Sequence, residues 1–216
     1  MVKFIKLASN MKTQITFLIT FLSIFNCFSQ VSFGVKAGIN LSSASESYSE
    51  NISSRDLSMK PGFQIGMWSA IPLVNKLSLL PELVFAQEGY NWNDNIDRNI
   101  HLYYLNLNLL LSYRIIEKVS IEFGPQVSKI IKANYRVNGK ANNYNNNYSD
   151  GLDLALMLGG RLNISSKVGL GLRYIQGLND ISEESISVTT GTINSFQSID
   201  IDQKKFGIQL SLYLGF

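Results

Sequence analysis

The residues able to do chemistry here are few: one histidine, one cysteine, and a handful of charges set inside apolar stretches. His101, acting as a general base, needs a carboxylate or hydroxyl within hydrogen-bond reach of its ring. Asp94, Asp97 and Ser149 are conceivable partners, but nothing in their spacing singles them out. A polar histidine at the end of an extended segment is the plainer reading. One histidine and one cysteine leave only scattered carboxylates for a metal, so neither a metal nor a cofactor is expected. The alternating glycines of GLGLRYIQG (169–177) lack the following helix that would receive a phosphate, and read instead as relief for crowding. The remaining candidates are Lys36, Glu82, Glu122, Arg161 and Arg173, each flanked by apolar residues.

What positions them is a recurring period of two. In HLYYLNLNLLLSYRI (101–115) the odd positions Leu105, Leu107, Leu109 and Leu111 are hydrocarbon bracketed by Tyr103 and Tyr113. The even positions include Asn106, Asn108, Ser112 and Arg114. Such alternation marks a β-strand with two different faces. Similar runs occupy 31–42, 60–71, 76–90, 119–131, 151–164, 168–180 and 204–216. Most reach or exceed the roughly 9–11 residues a tilted membrane strand needs. Trp68 breaks the parity of its run, which suggests a bulge there.

The links between runs alternate in length. Those at 43–59, 91–99, 132–150 and 181–203 are long or polar, whereas those near 72–75, 115–118 and 165–167 are short. This is the pattern of external loops and periplasmic turns. A lipocalin-like soluble barrel would show many lysines and glutamates on its polar face, and here that face is Gly, Ser, Asn and Gln. The expected fold is all-β: an eight-stranded antiparallel up-and-down transmembrane β-barrel in the outer membrane, with both termini periplasmic.

Counting from the periplasmic turns places Lys36, Glu82, Glu122, Arg161 and Arg173 inside the lumen in one narrow layer, with Gln64, Asn108 and Gln209 near it. An eight-stranded interior is just wide enough for side chains to fill, and an unpaired buried charge is costly. The layer is therefore expected to pair into a polar plug, with Glu122 and Arg161 in direct contact. A gated ion or proton path is the competing reading. Tyr90, Trp92 and Tyr103 are expected at the outer bilayer interface, and Phe33, Tyr113 and Phe216 at the inner one.

The chain has 216 residues, 16% charged, with a net charge of +3. That charged fraction is low against the roughly 25% of soluble domains, and no basic run with interleaved aromatics points to nucleic acid. The stretch MKTQITFLITFLSIFNCFSQ (11–30) has a lysine, an apolar run and small residues at Cys27 and Ser29. It reads as an export signal, 1–29, with Met11 a conceivable start and the barrel domain spanning 30–216.

These segments resemble the small outer-membrane β-barrel domain of Bacteroidota, the porin-family or PorT-like proteins. FGVKAGINLS, PELVFAQEGY, YYLNLNLLLSYRI, FGPQVS, GLGLRYIQGLNDI and IQLSLYLGF carry the resemblance in order. Asn108 stands where the family usually has proline. The resemblance implies an eight-stranded barrel without shared catalytic residues, with one branch serving secretion and gliding. It also implies that Phe216 is an assembly signal read by the barrel insertion machinery. The expected role is structural, or in envelope assembly and interaction through external loops, with outer-membrane lipid and envelope proteins as partners. A small pore for ions or solutes is one alternative. A barrel enzyme editing lipid A near His101 is another, and the expectation is no enzyme.

Overall fold

The structure is a computed structural model that describes residues 31–48, 57–92, 98–137, 140–143, 151–180, 184–189 and 196–216. The expected export signal lies outside the described residues, as do Asp94, Asp97 and Ser149.

The strands are β1 (Ser32–Tyr48), β2 (Leu57–Val74), β3 (Leu77–Trp92), β4 (Arg98–Ile116), β5 (Val119–Val137), β6 (Lys140–Asn143), β7 (Asp153–Asn163), β8 (Val168–Gly177), β9 (Glu184–Thr189) and β10 (Phe196–Gly215). β1, β2, β3, β4, β5, β7, β8 and β10 pair antiparallel in that order, and β10 returns to pair β1, from Gly34 opposite Gly215 to Tyr48 opposite Ile201. Eight strands thus close a barrel, while β6 and β9 lengthen hairpins on β5 and β10. Closure leaves the eight barrel strands paired on both sides, which a bilayer interior without hydrogen-bonding solvent requires.

The alternation becomes two surfaces. Leu107 is 54% exposed while its neighbour Asn106 is 0% exposed, and the same contrast runs along every barrel strand. The leucine wall faces outward. An apolar belt of this extent around a water-soluble protein would drive aggregation, whereas lipid solvates it.

Three details differ from the sequence reading. Trp68 does not sit at a bulge: it pairs in regular register with Glu82, and β2 slips instead near 59–64 and 72–74. Its indole is an inward-facing aromatic, so parity is kept. Tyr90 is also inside, 2% exposed, and packs with Ile100, Leu102 and Tyr104 rather than joining an interface band. At the turn end a band of rings is present, with Phe33, Tyr113 and Phe216 all exposed and the Phe33 and Phe216 rings 6.1 Å apart. Finally, several strands outrun their hydrophobic pattern at the loop end. β4 and β5 have 19 residues each and β10 has 20. There the ladder continues as paired hairpin above the apolar belt, where neither face needs to be greasy and the period of two fades.

Candidate functional site

Side chains cross the lumen, and among the described residues most of its charges fall in two clusters, with Lys60 donating to Asn99 Oδ1 at 2.9 Å beyond them. In the first, Glu82 on β3 is the hub. It is 2% exposed and receives Lys36 Nζ from β1 at 2.9 Å. Arg173 on β8 donates to both of its oxygens, Nη1 to Oε2 and Nη2 to Oε1, each at 2.8 Å. Asn108 Nδ2 on β4 adds a fourth contact at 3.0 Å, and Asn108 Oδ1 in turn accepts from Gln126 Nε2 at 3.0 Å. Glu122 on β5 takes Arg173 Nε at 2.8 Å and lies 2.8 Å from Arg161 Nε. Arg161 on β7 also approaches Glu82 Oε1 at 3.6 Å. The bidentate guanidinium contact orients the Glu82 carboxylate as well as neutralising it, whereas on Glu122 the Nε and Nη2 of Arg173 converge on Oε2.

All five charges expected from the sequence therefore meet, and Glu122 touches Arg161 directly. Gln64 lies beside them and donates to Ser211 Oγ at 3.0 Å. Two aromatic rings complete the cluster. Arg161 Cζ lies 3.8 Å from the centroid of Tyr213 and 5.0 Å from that of Trp68, close enough for cation–π attraction. Two glycines make room. A Cβ on Gly159, which pairs with both Glu122 and Arg173, would come within 2.6 Å of Arg173 Cγ. One on Gly171 would come within 2.7 Å of Tyr213 Cε2. Of the alternating glycines of β8, Gly171 thus relieves crowding against Tyr213.

The second cluster lies nearer the loop end. Lys205 on β10 is 2.8 Å from Asp153 Oδ2 and 3.9 Å from Glu88 Oε2. It donates to Ser128 Oγ at 3.2 Å and stands 4.5 Å from the centroid of the Tyr104 ring. All of these residues are buried. None of them is among the expected lumen charges, although their parity in the sequence marks them. Glu88 shares the inward face of β3 with Glu82, Asp153 that of β7 with Arg161, and Lys205 that of β10 with Tyr213.

Asn40 and Gln209 face each other across β1 and β10 between the two clusters, and their amides have no hydrogen-bond partner among the described residues. At the loop end Ala44, Tyr90, Ile100, Leu102, Tyr104 and Ala133 pack as an apolar stopper. His101 is outside this arrangement, on the outward face of β4, with Nδ1 2.8 Å from Gln87 Nε2. Among the described residues no group of three or more metal-ligating side chains converges.

A family model described as "Outer membrane protein beta-barrel domain" matches residues 23–183. No curated protein matches the chain. Among solved structures, Neisserial surface protein A is similar at 13% identity, covering 86% of this chain and 99% of that one with a TM-score of 0.49. The outer membrane protein OprG from Pseudomonas aeruginosa is similar at 14% identity, covering 86% and 95% with a TM-score of 0.46. Ail, the attachment invasion locus protein of Yersinia pestis, is similar at 14% identity, covering 83% and 97% with a TM-score of 0.41.

Proposed function

The chain belongs to the outer membrane protein β-barrel domain family, and from that premise we propose that it is a closed barrel acting through its external loops in envelope assembly or interaction. The charge network carries this reading. Glu82 and Glu122 are bound by cations from β1, β7 and β8 across the lumen, so side chains occupy the cross-section a solute would need. In this reading both termini and the short turns at 75–76, 117–118 and 164–167 are periplasmic, and residues 1–29 are removed on export. The PorT-like Bacteroidota branch is the proposed affiliation, with outer-membrane lipid and envelope proteins as partners and no nucleic acid, cofactor or catalysis. Phe216, 71% exposed beside Phe33, is the proposed signal for the insertion machinery.

Planar-bilayer recording tests the closed lumen: purified barrel should give negligible conductance, and a steady current would overturn it. A protease tag in 138–149 should be cut on whole cells while one at 165–167 stays protected. Equal protection would overturn the orientation. Deleting Phe216 should lower the amount of assembled, heat-modifiable barrel, and unchanged assembly would remove its proposed role.

A small pore is the second reading, favoured by the unpartnered amides of Asn40 and Gln209. Buried amides of this kind are usually satisfied by water, and a hydrated seam beside the clusters would pass ions if the stopper opened. The same recording decides between the two.

A further inference from the structure

The first charge cluster is not balanced. Lys36, Arg161 and Arg173 face only Glu82 and Glu122, which leaves one positive charge in excess in a buried setting. Four of these residues are essentially sealed, at 1–2% exposed, whereas Arg161 is 8% exposed. Arg161 Nε and Nη2 also lack a well-aligned hydrogen bond, despite their proximity to carboxylate oxygens. The surplus charge therefore shows itself at one place.

That place is the floor of a cavity of about 450 Å³ at the turn end of the barrel. Its wall is a ring of small hydroxyls, Ser78, Ser112 and Ser120, with Trp68 beside them. Register explains the ring: Ser78 pairs with Ser112, and Ser120 with both Arg114 and Arg161. Small residues at the layer below the charges keep the mouth open, and Arg114 and Lys118 line it, against the single carboxylate of Glu117. The volume falls in the range of roughly 300–1,000 Å³ typical of small-molecule sites. Above it the charge cluster closes the lumen, so the cavity is blind.

We propose that this vestibule is a binding site for a small anionic saccharide, a monosaccharide bearing a phosphate or a carboxylate. The anionic group would pair with Arg161 on the floor and with Arg114 and Lys118 at the mouth, and the sugar hydroxyls would exchange hydrogen bonds with the serine ring. The ligand enters and leaves by the same opening, which in the orientation proposed above is the periplasmic one. Binding and orientation remain separable, because in detergent both ends of the barrel are accessible and only the tagging experiment reads the orientation.

The chain has two tryptophans, so Trp92→Phe leaves Trp68 as the sole fluorescent reporter in the cavity wall. Full-length barrel carrying that change is titrated in detergent with glucose 6-phosphate, glucuronate, inorganic phosphate and glucose. The expected result is a saturable change in Trp68 emission with glucose 6-phosphate or glucuronate, at least tenfold weaker with phosphate, and none with glucose. Arg114→Gln with Lys118→Gln should weaken binding about tenfold, and Ser112→Leu should abolish it by filling the ring. The rim pair lies outside the charge cluster, so it remains informative if Ser112→Leu fails to fold. No saturable response to any anion overturns the proposal, and so does a response that survives in the rim double variant. Phosphate binding as tightly as the sugar phosphate overturns the saccharide assignment.

Discussion

The two charge clusters of the lumen carry opposite surpluses, and only the lower one contains arginine. The lower one, around Glu82 and Glu122, has three cations for two carboxylates. Among the described residues the upper one has Lys205 as the one cation paired with Asp153 and Glu88. The difference matters because the two kinds of surplus can be relieved differently. A carboxylate left without its cation can take up a proton and become neutral, and buried acids generally do so. An arginine cannot discharge. The lower cluster must therefore be held by partners, and its centre is: Arg173 spends its Nε, Nη1 and Nη2 on Glu82 and Glu122, while Arg161 keeps the surplus, its Nε and Nη2 near carboxylate oxygens without an aligned hydrogen bond. The upper cluster tolerates looser pairing, as its 3.9 Å contact to Glu88 shows.

This asymmetry ranks the consequences of removing one charge. Glu82→Gln keeps the shape of the hub but leaves three cations facing Glu122 alone. Reversible denaturant unfolding should show a loss of about 3–5 kcal/mol, the cost of breaking a buried pair. Glu122→Gln and Arg161→Gln should each lose less, because Arg173 still holds Glu82. Their double variant should lose less than the sum by about 0.5–3 kcal/mol, as coupled neighbours do. Strict additivity would mean that the 2.8 Å contact contributes nothing. Lys205→Met should cost only about 1–3 kcal/mol, since the freed carboxylates can neutralise. A loss equal to that of Glu82→Gln would break the comparison and show that the upper acids stay charged.

How much of this could be read from the chain depends on what each part is made of. The barrel was legible because lipid enforces a greasy residue at every second position, as Leu105 to Leu111 show. The lower cluster was legible because short turns fix the count: Glu82, Glu122 and Arg161 all lie within six residues of one. Beyond the belt that constraint lapses, so the loop-end halves of β5 and β10 read as irregular links. Tyr90 lies at the height of an interface ring but on the inward face of Glu82 and Glu88, and parity rather than height sets which way it points. Trp68 misled for a related reason. A large aromatic beside Met67 looks like lipid-facing surface until Arg161 and Tyr213 are seen to need it.

The smallest effect gives the finest comparison, because each cluster sets a cation against a tyrosine ring. Tyr213 lies beneath Arg161 and its hydroxyl reaches Glu82 Oε1 at 3.5 Å. Tyr104 lies beneath Lys205, and its hydroxyl has no hydrogen-bond partner among the described residues. Replacing tyrosine by phenylalanine keeps each ring in place and removes only the oxygen. In the lower cluster that deletes a long, weak bond to a charged hub, and Tyr213→Phe should cost about 0.5–1 kcal/mol. In the upper cluster it deletes a buried polar atom that gains nothing from the protein, so Tyr104→Phe should be neutral or stabilising by up to about 1 kcal/mol. Tyr213→Leu and Tyr104→Leu control for the ring, and each should lose more than its phenylalanine counterpart through lost packing and cation–π attraction. If Tyr104→Phe instead destabilises as much as Tyr213→Phe, its hydroxyl is held by water, and the contrast between the two rings is gone.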